Sequence, residues 1–462
     1  MSAELLGLRV PDWLRQRAHV TPERLAVTFE DQRWTFAELD RRVDGATAAL
    51  RGLGVCRGQR VGLLAPNSAA WVVAVHALMR LGAVLVPINT RLTQTEIDWQ
   101  RRDADVERVL DEAMLNDLLA HPPEPRVDRD FDLDAWHSII YTSGTTGRPK
   151  GAILTYANHW WSAVASALNL GLLPDDRWLA CLPMFHVGGL SILLRGVICG
   201  ITAVVHERFD PALVNRAIDE DGVTLVSVVS AMLDRMLVER GERPYPPTLR
   251  CVLLGGGPAP LALLERAIRA RAPVVQTYGL TETASQVVTL APDDAVRKLG
   301  SAGKPLMGSQ IRIAADGEIL VRGPSVSPGY LNQPPRRGWL YTGDLGYLDE
   351  EGYLYVLDRR DDLIISGGEN IYPAEVEAAL VAHPAVKEAG VIGLADPEWG
   401  QTVGAVVALE PGHTATAQEL IAFCRQRLAG YKVPRRIAFR QELPRNASGK
   451  LLRRELQVEG YD

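Results

Sequence analysis

Between Tyr141 and Gly151 the chain reads Tyr-Thr-Ser-Gly-Thr-Thr-Gly-Arg-Pro-Lys-Gly. Gly144 and Gly147 let successive backbone N–H groups converge on an anion. The hydroxyls of Thr142, Ser143, Thr145 and Thr146 add donors, and Lys150 adds positive charge. Such a loop suits a triphosphate. It follows the apolar run Ser138–Ile140, so it is expected to leave the end of a strand. It is not a G-x-x-x-x-G-K-S/T loop, because the glycine spacing differs and Lys150 is followed by Gly151.

Further residues with chemical capacity follow in order. Tyr278-Gly279-Leu280-Thr281-Glu282-Thr283 trails the strand-like run Pro273–Gln276. A carboxylate at Glu282 beside a triphosphate could ligate Mg²⁺, which prefers oxygen ligands and keeps several waters. The segment also reads as a helix N-terminus with a threonine cap and a first-turn acid. Gly255, Gly256 and Gly257, before Pro258, permit close backbone approach to a flat ligand. Asp344 of Thr342-Gly343-Asp344 could accept bonds from two ribose hydroxyls, although that tripeptide alone is a common turn. Asp358-Arg359-Arg360-Asp361-Asp362 alone would be a solvated charge run, and Lys450 of Pro444–Lys450 alone a solvated lysine.

Taken together, these segments resemble the adenylate-forming superfamily of acyl-CoA synthetases, firefly-type luciferases and peptide-synthetase adenylation domains. The resemblance covers nearly the whole chain and implies ATP-dependent activation of a carboxylic acid as its acyl-adenylate. By this resemblance the loop from Thr142 to Lys150 binds phosphates, and Glu282 is the Mg²⁺-associated acid. Thr281 contacts phosphate or the acyl carboxylate. Tyr278 stacks on adenine, beside Gly279, while Gly255, Gly256 and Gly257 border adenine and the end of the acyl pocket. Asp344 holds the ribose, Arg359 contacts ribose or phosphate, and Asp361 is the pivot between two domains. Lys450 is the catalytic lysine, holding the acyl carboxylate and α-phosphate together as negative charge accumulates. Leu182–Leu190 matches the segment beside the acyl pocket, where His186 gates or packs rather than acts as a base, and Gly189 lies in the same stretch.

Ser166–Gly171, Phe185–Gly200, Tyr278–Leu290 and Lys298–Leu306 resemble, more narrowly, the o-succinylbenzoate–CoA ligase family of menaquinone biosynthesis. That resemblance implies a second half-reaction in which CoA thiol takes the acyl group. Related aromatic or medium-chain acids, or a carrier-protein thiol as acceptor, stay open. o-Succinylbenzoate has a second carboxylate, and a buried anion needs a partner. Arg195, in an apolar helix-like stretch, is one candidate; an arginine reaching solvent past that face is the alternative. Ser191 and Gln286 are further candidates for polar contact with the acyl group.

A chain of 462 residues exceeds what one core usually serves, so two or more domains are expected. Short apolar runs alternate with helical periods at Arg60–Leu64, Ala83–Pro87, Ile201–Val205, Leu225–Val229 and Cys251–Leu254. This predicts an α/β fold of parallel-rich sheets packed with helices. Asp-Gly and Glu-Gly turns after Ile311 predict a β-rich subdomain. The last hundred residues read as a small α+β domain, mobile by the resemblance. The expected boundaries are 1–357, a hinge at 358–362, and 363–462. Pro122–Asp134 reads as an exposed connection.

A net charge of −6 argues against general nucleic-acid binding. Five scattered cysteines without a CxxC pair suggest reduced thiols rather than a disulfide framework or zinc site. The N-terminus shows no signal peptide. In Trp71–Ile88, His76 and Arg80 interrupt the most apolar stretch, which fits a buried helix running into a strand better than a membrane span. A cytoplasmic enzyme is expected, with a carboxylic acid, ATP and CoA as partners and homodimerisation left open.

Overall fold

The computed structural model describes residues 8–122, 129–142, 149–257, 259–359, 362–366, 369–397, 399–428, 430–445 and 451–458. One sheet has six strands in the order Gly329–Tyr330, Lys150–Thr155, Trp136–Thr142, Val84–Pro87, Arg60–Leu64, Arg108–Asp111. The last four are mutually parallel, and the first two join antiparallel. Val84–Pro87 is buried at every position, as a parallel strand covered on both faces must be.

The preceding helix, Ala69–Leu81, is also buried at every position. Ser68 caps it by accepting from the Trp71 N–H at 3.1 Å, and Gly82, at φ +66°, ends it. Arg80, within this apolar helix, is neutralised inside the protein. Its guanidinium reaches Asp12 at 2.8 Å, Asp40 at 2.7 Å and Asp44 at 2.8 Å. The charge thus ties three helical segments together. Among the described residues no helix is long and apolar enough to cross a membrane.

The second sheet has nine strands, in the order Lys304–Pro305, Ser285–Thr289, Val274–Leu280, Cys251–Gly255, Leu225–Val229, Arg177–Ala180, Thr202–Val205, Leu25–Phe29, Gln32–Thr35. The run from Val274–Leu280 to Leu25–Phe29 is parallel, and the outer strands are antiparallel. The β-rich subdomain is a four-stranded antiparallel sheet of Gln310–Ile313, Glu318–Arg322, Leu340–Leu348 and Leu354–Arg359. Gly317 and Gly352 take positive φ at its turns, as their Asp-Gly and Glu-Gly contexts predict.

Beyond residue 362 a five-stranded sheet packs with the helices Pro373–Val381 and Ala417–Arg425. Its core, including Ile364, Val376, Leu380, Val403, Leu420 and Cys424, forms a hydrophobic cluster of its own. The strand Glu369–Ile371 in this sheet was not foreseen.

Pro122–Asp134 is a correction. Its end, Asp130–Asp132, pairs antiparallel with Arg9–Pro11, and Phe131 and Leu133 are buried. Alternate residues of an extended segment share one face, so two apolar side chains two positions apart reach the core together.

Candidate active site

The parallel strands Leu225–Val229, Cys251–Gly255 and Val274–Leu280 end side by side, with Val229 opposite Gly255 and Leu254 opposite Gln276. The glycine run and the Tyr278–Thr283 segment therefore meet at the carboxyl edge of the sheet, where ligands of open α/β sheets bind. Gly256 has φ +83°, and a Cβ there would lie 2.8 Å from Val229 Cγ1, so both backbone and packing demand glycine. Gly257 faces open space, while a Cβ on Gly255 would press on Thr277 at 3.0 Å. Gly279 is the tightest: a Cβ would sit 1.7 Å from the Ser285 carbonyl oxygen.

Tyr278 and Gly279 lie within their strand rather than after it. Thr281–Thr283 is a single 3₁₀ turn, not the start of a helix. Thr283, not Thr281, supplies the side-chain acceptor, taking the Leu280 N–H at 2.8 Å. Ala284, in the left-handed region, then reverses the chain into the antiparallel strand Ser285–Thr289. The short turn leaves Glu282 at its tip.

Two contacts join segments distant in sequence. The Tyr278 hydroxyl donates to Asp344 Oδ2 at 2.8 Å, and both residues are buried, at 8% and 5% exposure. Asp344 sits in a kinked strand: Gly343 has φ +73°, and its N–H donates to Glu318 at 2.9 Å. In the β-ladder Asp344 pairs with Arg359, so the expected ribose and phosphate residues are backbone neighbours. The Tyr330 hydroxyl donates to Glu282 Oε1 at 2.6 Å, and the Ser327 N–H donates to the Glu282 carbonyl at 2.8 Å.

Tyr330 also links Glu282 to the strand that follows the expected phosphate loop. It pairs with Ala152 on the strand that starts at Lys150, and the Lys150 ammonium lies 5.6 Å from its ring centroid. Thr142 and Lys150 pair with each other across the antiparallel ladder. Ser143, Gly144, Thr145, Thr146 and Gly147 lie outside the described residues. So do Asp361 and Lys450. Asp362, beside the expected pivot, accepts from Arg453 at 2.9 Å. A bridge between Arg445 and Leu451 brackets the five residues ending at Lys450.

Tyr330 was missed by sequence reasoning, and so was Arg336. The buried Nη2 of Arg336 has no hydrogen-bond partner among the described residues, and Glu282 and Tyr330 both act on its charge. A tyrosine after Gly329 shortly before Thr342-Gly343-Asp344 is a faint signal, since nothing local says what its hydroxyl meets. Among the described residues no three His, Cys, Asp or Glu side chains gather as a metal cage. One hydrogen-bonded carboxylate, Glu282, fits a Mg²⁺ that takes most of its ligands from phosphates and water.

Of the residues expected beside the acyl group, His186 begins the helix Val187–Cys199 without a side-chain cap. Burial pulls its pKa down to about 4, and its buried Nε2 has no partner among the described residues, so the imidazole is neutral near pH 7. Gly189 has a packing reason of its own: a Cβ would lie 2.4 Å from the Pro183 carbonyl oxygen. Ser191 donates to the Gly188 carbonyl at 3.1 Å. Gln286, opposite Gly279 in the ladder, accepts from Thr289 at 3.1 Å, and its buried Nε2 is unpaired among the described residues.

Arg195 is 1% exposed, which removes the reading that it reaches solvent. Its Nη2 lies 3.4 Å from Ser162 Oγ, and its guanidinium carbon lies 5.3 Å from the Trp178 ring centroid. Its Nε has no partner among the described residues, and burial lowers its pKa to about 10. Ser162 donates onward to the Ala284 carbonyl at 2.7 Å, connecting Arg195 to the turn that carries Glu282.

A conserved-family model described as AMP-binding enzyme matches residues 14–331, and the AMP-binding enzyme C-terminal domain matches residues 375–450. The chain belongs to the AMP-binding enzyme family. Within the family it is 49% identical to a 2-succinylbenzoate–CoA ligase of Bacillus mycoides, over 97% of this chain and 98% of the relative. It superposes with TM-score 0.92 and 45% identity on o-succinylbenzoate CoA synthetase of Bacillus subtilis in complex with its acyl-adenylate intermediate, covering 98% and 99% of the two chains. The same synthetase in complex with ATP and magnesium ion matches with TM-score 0.90 and 45% identity, over 97% and 100%. The family's large N-terminal and small C-terminal domains, with mixed sheets packed by helices, are the architecture described above.

Proposed function

We propose that this family member is an AMP-forming acid–thiol ligase that joins 2-succinylbenzoate to CoA at the expense of ATP. The substrate carboxylate oxygen attacks the α-phosphorus, the bond to the bridging oxygen breaks, and pyrophosphate leaves. The CoA sulfur then attacks the acyl carbon of the adenylate, its thiol proton passes to solvent, and AMP leaves. Mg²⁺, when bound, neutralises charge on the phosphates. Asp344 and Tyr278 orient the nucleoside. Glu282, held by Tyr330, and Lys150 face the phosphates beside the Thr142–Lys150 loop, while Thr281 adds a hydroxyl. Lys450 bridges the acyl carboxylate and α-phosphate in the first step and is withdrawn for the second by rotation about Asp361.

The observation that carries the choice of acid is Arg195, a buried guanidinium with no carboxylate in ion-pair distance among the described residues. A charge so placed is costly alone, and the second carboxylate of the substrate would supply its counter-ion, directly or through water. Ser191, Gln286, His186 and Gly189 shape the remaining wall. The five cysteines are all free, which fits a cytoplasmic enzyme.

A panel of acids tests the reading, with pyrophosphate release and thioester formation followed in the presence of CoA. 2-Succinylbenzoate is expected to give the highest kcat/KM. Faster turnover of a monocarboxylic aromatic or medium-chain acid would overturn the substrate assignment and leave the adenylation chemistry standing.

A further inference from the structure

At the opposite end of the six-stranded sheet from the phosphate loop lies a cleft of about 260 Å³. The strands Arg60–Leu64, Val84–Pro87 and Trp136–Thr142 run parallel, and Arg60, Val84 and Trp136, which line the cleft, are their first residues. The loop leaves from Thr142, six residue steps along, or about 20 Å at the usual strand rise. The cleft is therefore separate from the nucleotide site.

Arg57, Arg60 and Arg129 line it, and Arg9 lies close enough to act on the Arg129 charge. None of these four arginines pairs with a carboxylate among the described residues. The one acid on the lining, Asp132, already accepts the Asp134 N–H at 3.1 Å. Two of the guanidinium groups are anchored in place. Arg129 donates to the Leu81 carbonyl and lies against Gly82, where a Cβ would be 2.4 Å from its guanidinium carbon. Arg60 donates to the Ala104 carbonyl at 2.9 Å and lies 5.7 Å from the Trp136 ring centroid. Arg57 is exposed at the rim.

Phe131, Trp136 and Tyr156 supply flat apolar walls between these charges. Guanidinium forks match carboxylate or phosphate oxygens, and aromatic walls match a ring. The volume falls below the usual range of about 300–1,000 Å³ for drug-sized pockets, so the occupant is small. We propose that this cleft binds a small aromatic dianion, a ring bearing two carboxylates or a phosphate ester, at a site distinct from the catalytic one.

Calorimetric titration of the full-length enzyme with benzene-1,2-dicarboxylate and with phenyl phosphate tests this, with benzoate as the monoanion control. Arg57→Gln, at an exposed position, is expected to weaken dianion binding about threefold or more. The Arg57→Gln/Arg129→Gln pair is expected to weaken it tenfold or more, and benzoate to bind at least tenfold more weakly than the dianions. Binding of only one dianion would support the proposal and assign the anion as carboxylate or phosphate ester. No binding by either, or equal affinity in wild type and both variants, would overturn it. The second result would mean that the probe occupies the acyl site instead.

Discussion

The Tyr278 hydroxyl and the Asp344 carboxylate, 66 residues apart in the chain, meet at 2.8 Å and tie an inner strand of the nine-stranded sheet to the four-stranded one. A hydrogen bond to a charged group contributes about 1.5–3 kcal/mol. Tyr278→Phe is expected to raise the KM for ATP about tenfold, because the carboxylate then takes up orientations that no longer suit the ribose. Asp344→Asn should do the same or more. An unchanged KM for ATP in both variants would show that the contact is structural only.

Tyr330→Phe removes the donor that aims Glu282. The expected result is a roughly tenfold fall in kcat for acid-dependent ATP–pyrophosphate exchange, of the order set by one hydrogen bond to a charge. The Mg²⁺ concentration for half-maximal rate should rise, while the KM for the acid holds. A change in the acid KM alone would place Tyr330 in the acyl pocket.

Lys450→Ala is expected to lower acid-dependent exchange by 10²-fold or more, on the order of the loss of one preorganised charge donor. Thioester formation from supplied acyl-adenylate and CoA should survive. Asp361→Pro should show the converse, with the second half-reaction more impaired than the first. Equal loss of both half-reactions in Lys450→Ala would count against the division of labour.

Arg195→Gln tests the counter-ion role. Truncating one partner of a buried charge pair costs about 2–5 kcal/mol. The KM for 2-succinylbenzoate should therefore rise at least tenfold, and the KM for ATP should stay near wild type. If the variant is too unstable to assay, protection of wild type against thermal unfolding by the dicarboxylate, but not by the matching monoacid, reads the same interaction. Equal protection by both acids would remove Arg195 from substrate recognition.

Burial also makes stability depend on pH. It lowers the pKa of His76 to about 4, His159 to about 3 and His186 to about 4, and lowers that of His137 as well. Each folded value lies below the ordinary imidazole value of 6.5, so below pH 6.5 the unfolded chain binds protons that the folded one refuses. The stabilisation is whole above that pH and is lost as pH falls toward 4, each group contributing about 1.4 kcal/mol per pH unit. The urea midpoint should accordingly drop between pH 7.5 and pH 5. A midpoint that holds across this range would mean these imidazoles are not buried neutral.

Much of the fold, and of the segments expected to build the site, was legible because the signals are local. A glycine run converges N–H groups, an Asp-Gly turn closes a hairpin, and an apolar run of five residues makes a buried strand, each through its own few residues. The family resemblance rested on such short segments in a fixed order, and so did the choice of Glu282, Asp344 and Lys450. What lay beyond reach depended on residues brought together from afar. Tyr330 meets Glu282 across 48 positions. Gly189 is glycine because the Pro183 carbonyl lies against it, and the end of Pro122–Asp134 becomes a strand only because Arg9–Pro11 lies beside it. Arg195 reads as a solvent-reaching arginine or a buried one until its helix is packed.

The sequence by itself thus determined the family and its chemistry, and the order along the chain of the groups expected to handle phosphate, metal and carboxylate. Only the tertiary structure decided which of those groups touch and which charges are buried without a partner. Periodicity and turn chemistry act over a handful of residues, whereas burial and hydrogen bonding between sheets are settled by the whole fold at once.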